Sequence, residues 1–151
     1  MRDLASLRAR SRADIKARAR SEAGLVCLYA LGPVDEAYKV GATDDLDRER
    51  KHAQVYAPTP LIAAVELYAA GKDTGARLMS EVEVHLTGCG LHRRGTWYAA
   101  DPAQIERIIR ATALGLGVLL IPRHVRDARL ADAEARLAAA SEAHLRQRMG
   151  A

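Results

Sequence analysis

Apolar residues recur along the chain in two patterns that predict a mixture of strands and helices. Short apolar runs occupy 25–31 (LVCLYAL), 37–41 (AYKVG) and 61–70 (LIAAVELYAA), each next to glycine or proline. Runs of this length beside turn residues are typical of buried strands. The turn residues at 32–36 (GPVDE) predict a hairpin of the first two strands. The alanines of 61–70 leave a helix open for that run.

Three-to-four spacing of apolar residues predicts helices between and beyond these runs. Thr43, Asp44 and Asp45 are N-cap candidates for a helix that ends near Tyr56, before a proline-rich stop. Asp101 followed by proline indicates another helix start. The predicted helices are 3–22, about 43–56, 75–90, 102–115 and a long charged one from 123 to 150. Residues 115–122 remain open between a strand, a helix end and a buried linker.

Together these elements predict an α/β fold, α+β in stricter vocabulary. We expect a small three-stranded antiparallel sheet flanked by helices, with an N-terminal helix and a long C-terminal helix. The expected divisions are a basic helical arm at 1–24, a central domain at 25–115, and a linker with the C-terminal helix at 116–151. The C-terminal helix carries an apolar stripe that suggests a packing face or a homodimer contact. Its members are Leu130, Ala133, Leu137, Ala140 and His144.

Composition narrows the class of protein. The 151 residues are 49% hydrophobic and 28% charged, which is typical of a globular chain. A net charge of +4 makes a polyanionic partner plausible. The two cysteines are too few for a disulfide framework, so a reducing, cytoplasmic compartment is expected. No segment approaches the ~18 apolar residues needed to cross a bilayer, and the N-terminus lacks the apolar core of a secretory signal.

The stretch 37–52 (AYKVGATDDLDRERKH) joins a strand end to a strongly basic helix. Arg48, Arg50 and Lys51 form either an ordinary solvated helix face or a site where strand and helix converge on a phosphate. Farther along, Glu81 and His85 stand four residues apart and share one helix face.

Three motifs occur in order: Tyr38-Lys39-Val40-Gly41, then Glu81 to His85 (EVEVH), then 95–98 (GTWY). With the apolar strand that ends near Tyr29, this order resembles the GIY-YIG nuclease superfamily. It is most similar to a phage and bacterial branch with Tyr-Lys-Ile-Gly, Glu-x-x-x-His and Gly-Glu-Trp-Phe motifs. The resemblance covers about residues 25–112.

The resemblance implies one divalent cation, Mg²⁺ or Mn²⁺, held by Glu81, with water attacking a phosphodiester. Tyr29 matches the tyrosine expected near the attacking water as general base or positioner. The ammonium of Lys39 would then lower the pKa of Tyr29. Tyr38 lies beside Lys39 but points to the opposite strand face. His85 is a further possible member of the site, either near the metal or in a structural contact.

One position departs from the family pattern. The arginine expected eight residues after Gly41 is replaced by Glu49. Arg48 is the first candidate to stabilise the phosphate and Arg50 the second; they point about 200° apart on a helix. Lys51, Arg93 and Arg94 are candidates for contact with a nucleic-acid backbone.

The resemblance therefore implies a metal-dependent DNA endonuclease or nickase. Two alternatives stay open. In the first, the chain is a nuclease-like domain that binds nucleic acid without cutting it. In the second, it is a small interaction protein that dimerises through its C-terminal helix.

Overall fold

The computed structural model describes residues 4–150, with side chains described from residue 11 onward. The described residues form five helices and six strands. In chain order they are α1 (Leu4–Ala23), β1 (Leu25–Val34), β2 (Ala37–Thr43), α2 (Leu46–Gln54), β3 (Ile62–Ala70), α3 (Lys72–Gly88), β4 (His92–Arg94), β5 (Trp97–Tyr98), α4 (Pro102–Leu116), β6 (Leu120–Ile121) and α5 (Arg123–Met149). The predicted α+β class is confirmed, and Ile62–Ala70 is a strand rather than a helix.

All strands belong to one antiparallel sheet in the order β4-β5-β2-β1-β3-β6. The three predicted strands form its centre, but the prediction of only three strands is wrong. β5 extends the sheet beyond β2, and β6 extends it beyond β3. The added strands have two or three residues each. Segments this short show no hydrophobic period, so pairing with longer neighbours creates them.

Helices α3 and α4 cover one face of the central strands. Leu28, Ala30 and Val40 supply that face of β1 and β2, and they join the buried apolar residues of both helices. Gly75 lets α3 approach β1 closely, since a Cβ built on it would stand 2.8 Å from Val26 Cγ1. Because one face of α3 is buried against the sheet, only the polar residues that border this face lie near the strands.

The chain divides into two compact units, 25–123 and the terminal segments 1–24 with 124–151. The central unit extends past residue 115 because Leu120 and Ile121 pair with β3. The open stretch 115–122 is thus a helix end, a left-handed turn at Gly117 and a short strand.

In the terminal unit, Arg136 of α5 forms an ion pair with Glu22 of α1 (Nη2–Oε2 3.6 Å). Ala133 is the buried member of the predicted α5 stripe, while Ala140 and His144 are exposed. Dimerisation through α5 stays a prediction. Of the helices within residues 4–150, none combines the length and apolar character of a membrane span.

Candidate active site and basic cleft

Tyr29 lies across Gly41 in the centre of the sheet. Pairing of β1 with β2 places the two residues opposite each other. A Cβ built on Gly41 would stand 2.6 Å from Tyr29 Oη and 2.8 Å from Cζ. The glycine of the Val-Gly pair is therefore required by the position of the tyrosine ring, which is only 4% exposed.

Helix α2 brings a carboxylate to this tyrosine. The Asp45 side chain caps the helix by accepting a hydrogen bond from the Arg48 backbone N–H (3.2 Å). Glu49 and the buried Ala53, four residues apart, share the face of α2 turned toward the sheet. Both the charge of the Glu49 carboxylate and its hydrogen bonding with the Tyr29 hydroxyl raise the pKa of Tyr29.

Lys39 completes this cluster. Its Nζ lies 3.7 Å from Glu49 Oε2, and both side chains are about three-quarters buried. Tyr29, Lys39 and Glu49 thus come from three different elements and meet beside Gly41. We call these three residues the tyrosine cluster. The residue that departs from the family pattern is the one that joins the other two.

The arginines beside Glu49 are turned away from the sheet. Arg48 pairs with Asp44 (3.0 Å) and Arg50 pairs with Asp47 (3.4 Å). Each arginine side chain is about half exposed, 52% for Arg48 and 48% for Arg50. The structure therefore gives both candidates an aspartate partner and places Glu49, instead of either arginine, at Tyr29.

The environment raises the pKa of Tyr29 well above its ordinary value. Burial is the largest cause; the charge of Glu49, the charge of Cys27, the hydrogen bond to Glu49 and the charge of Glu83 follow. The expectation that Lys39 lowers this pKa is wrong, because the Lys39 ammonium is paired with the carboxylate that holds the hydroxyl. The surroundings of Tyr29 therefore favour the protonated form of its hydroxyl.

This raised pKa gives a prediction for alkaline stability in the absence of metal. The unfolded tyrosine ionises near pH ~10, whereas the folded one keeps its proton, so the unfolded state binds fewer protons above that pH. Tyr29 therefore contributes stability that is complete below pH ~10 and falls as pH rises, by up to about 1.4 kcal/mol per unit. Urea unfolding from pH 8 to 11 is expected to show a steeper alkaline loss for the wild type than for Tyr29→Phe. Parallel curves would contradict the raised pKa.

Helix α3 presents its two central glutamates to different surroundings. Glu81 and His85 are exposed and border a groove of about 350 Å³ that is also lined by Ile108 and Thr112 of α4. Glu83 is half-buried, and its negative charge raises the pKa of Tyr29. Glu83, not Glu81, is thus the α3 carboxylate that acts on the tyrosine cluster.

Glu83 also acts on Tyr98, the buried tyrosine of β5. Burial is the main cause of the raised pKa of Tyr98, a hydrogen bond with Thr87 lowers it, and Glu83 raises it. Tyr38 pairs with Tyr98 across β2 and β5 and packs against the core. Tyr38, a possible site residue by sequence, therefore packs against the core, whereas His85, the other one, stays exposed beside Glu81.

A basic cleft of about 470 Å³ opens next to the tyrosine cluster. Its lining residues are Val34, Asp35, Ala37, Lys39, His52, Ala53, Tyr56, Arg93, Arg94 and Trp97. Lys39 and Trp97 face each other in the β2–β5 pairing, so they lie on one side of the sheet. Lys39 therefore belongs both to the tyrosine cluster and to the cleft.

The cleft includes residues that the sequence did not single out. Arg93 and Arg94 line it as the predicted basic pair, while Lys51 is exposed on α2 and is not among its described lining residues. The sequence pattern gives no role to His52 and marks Tyr56 only as a helix end. Their position just before the proline-rich stop was the available signal, because it places both at the helix end beside the sheet.

The donor set near Tyr29 suits a hard cation. Glu49 and Glu83 offer only carboxylate oxygens, and both raise the pKa of the same hydroxyl. Within the described part of the chain, no three His, Cys, Asp or Glu residues form a metal-binding group. Mg²⁺ keeps several waters and takes one or two carboxylates, so the oxygen donors of Glu49 and Glu83 are of the type that it prefers. Glu49 is already paired with Lys39.

Comparison of the chain with protein-family models, with curated proteins and with solved structures found no significant match.

Proposed function

We propose that this chain is a metal-dependent nuclease that binds nucleic acid in the basic cleft and hydrolyses a phosphodiester beside it. The observation that carries the proposal is the position of Lys39, which lines the cleft and contacts the tyrosine cluster. A phosphate held by the cleft cations would lie next to a buried tyrosine hydroxyl and the Glu49 carboxylate, while the charge of Glu83 acts on the same hydroxyl. This is the combination that hydrolysis by an attacking water needs.

Each residue has a separate task in this proposal. Glu83 would hold the divalent cation, which would supply a Lewis acid for the phosphate oxygens. Tyr29 orients the attacking water, and Glu49 accepts the proton through the Tyr29 hydroxyl. Arg93 and Arg94 neutralise the phosphate charge from the cleft, a task that the family pattern gives to an arginine on the first helix.

A second function, nucleic-acid binding without cleavage, is favoured by one observation. Arg48 and Arg50 are both held by aspartates on the exposed side of α2, and Glu49 stands at the arginine position. A carboxylate there repels a phosphate that approaches Tyr29, while the cleft keeps its cations. Under this alternative the cleft is functional and the tyrosine cluster is not.

Nicking of supercoiled plasmid separates the two functions. We expect the wild type to convert plasmid to the open circle with Mg²⁺ or Mn²⁺ and to stop when the metal is chelated. Retention of plasmid on a filter, measured in chelator, is expected to persist at low salt and to fall steeply as salt rises. Retention without nicking in either metal would leave only the binding function.

A further inference from the structure

We propose that the basic cleft takes an unpaired nucleotide, with phosphates on its cations and a base stacked on its aromatic side chains. The substrate class is therefore single-stranded or locally unpaired nucleic acid. This inference rests on the proposed function and names the substrate of the same site.

The basic side chains that line the cleft favour an anionic ligand. Four basic side chains line it, those of Lys39, His52, Arg93 and Arg94, against the single carboxylate of Asp35. The arginines are presented by the short β4–β5 hairpin, where His92 Nε2 and the Gly95 carbonyl oxygen lie 2.9 Å apart. Arg94 pairs with Trp97 across that hairpin, so the hairpin places both a cation and an aromatic ring in the lining of the cleft.

The aromatic side chains of the cleft favour a nucleic-acid base that is not paired. Tyr56 lines the cleft and is 88% exposed, while Trp97 lines it as a half-buried ring. A base that stacks on such a ring gains about 1–3 kcal/mol without sequence readout. Bases inside a duplex are already stacked on each other and are not available to these rings. The aromatic contribution is therefore specific to unpaired nucleotides.

The dimensions agree with this ligand. A volume of about 470 Å³ lies within the ordinary range for pockets that hold one small organic molecule. One nucleotide fits such a space, with its neighbours along the strand passing over the rim. A duplex would contact the rim cations only through its backbone.

The chain contains one tryptophan, so the intrinsic fluorescence of Trp97 reports directly on the cleft. The experiment titrates wild-type protein in chelator with a short oligothymidylate and with a hairpin duplex of equal charge. We expect the single strand to quench the tryptophan and to bind roughly 10-fold tighter than the duplex, as one stacked base implies.

Substitutions in the cleft test which residues produce the difference in affinity between the single strand and the duplex. Tyr56→Leu is expected to weaken single-strand binding about 10-fold and to leave duplex binding unchanged. Arg94→Gln is expected to weaken binding of both probes and to flatten their salt dependence. Val55→Ala, at an exposed neighbour of Tyr56, and Arg107→Gln, at an exposed arginine of α4, are the matched controls and should behave as wild type.

The outcomes separate this inference from the proposed nuclease activity. Equal or tighter binding of the duplex, with no effect of Tyr56→Leu, would overturn the inference even if the plasmid is nicked. Tryptophan quenching by the single strand that depends on Tyr56 would support it even if no nicking occurs. Thymidine monophosphate that binds as tightly as the oligomer would also overturn it, because the ligand would then be a free nucleotide.

Discussion

Glu83→Gln is expected to lower metal-dependent plasmid nicking by roughly 100-fold or more, while Glu81→Gln is expected to stay close to the wild-type rate. A metal ion at a reacting phosphate is worth several kcal/mol, and each ~1.4 kcal/mol is a factor of ten in rate. The glutamine keeps the size of the side chain but loses the charge that a divalent cation requires. The measurement is the single-turnover nicking rate with saturating protein in Mg²⁺ and in Mn²⁺.

The two glutamates are matched because they lie on the same helix, two residues apart, in different surroundings. Glu83 acts electrostatically on Tyr29 and Tyr98, whereas Glu81 borders the groove that contains His85. Plasmid retention in chelator should be equal for both variants, which separates a loss of chemistry from a loss of binding. The reverse order of rates would move the metal to Glu81 and His85, and two unaffected variants would contradict a carboxylate-held metal on α3.

Most of the long elements were predictable from the sequence because their signals are local. Asp101 followed by Pro102 marks the start of α4, and the glycines near 88–90 mark the end of α3. Apolar runs of five to ten residues predicted the three long strands. The short strands β4 and β5 were not predicted, and a strand was only one of three alternatives for 115–122, which contains β6. The pairing partners of these strands, rather than their own residues, create them.

The sequence indicated which strand residues belong to the candidate site, but it did not indicate which side chains contact one another there. The resemblance to the nuclease motifs pointed to Tyr29, Lys39 and Gly41, and strand pairing brings them to one place. It pointed to Glu81 through the Glu-x-x-x-His motif, although the buried face of α3 decides which glutamate lies near the sheet. It also expected Lys39 to lower the pKa of Tyr29, since nothing local indicates that Glu49 contacts both residues. These choices depend on how helices pack, which periodicity alone does not specify.

Glu49→Gln is expected to lower the nicking rate about 100-fold, a typical loss for one general-base contribution. The Tyr29 hydroxyl donates its hydrogen to Glu49 and has a raised pKa, so a proton that leaves the attacking water through Tyr29 needs this carboxylate as acceptor. Glutamine retains an acceptor oxygen of similar position but does not take the proton. The residual rate should rise with pH, because ionisation of Tyr29 must then replace the transfer to Glu49.

Binding and a neighbouring carboxylate provide the controls for this variant. Glu49→Gln removes a negative charge next to Lys39, so plasmid retention at low salt should be equal to or stronger than that of the wild type. Asp47→Asn, on the same helix at an 80% exposed carboxylate that pairs with Arg50, should change neither the rate nor its pH dependence.

An increase of nicking in Glu49→Gln would reverse the role given to this residue. Glu49 would then obstruct a phosphate at the position where the family pattern has an arginine, and Glu49→Arg should raise the rate further. A structural role alone predicts a third result, in which stability and rate fall together and the pH dependence stays that of the wild type. The pH profile therefore distinguishes a proton acceptor from a residue that only holds Tyr29 and Lys39 in place.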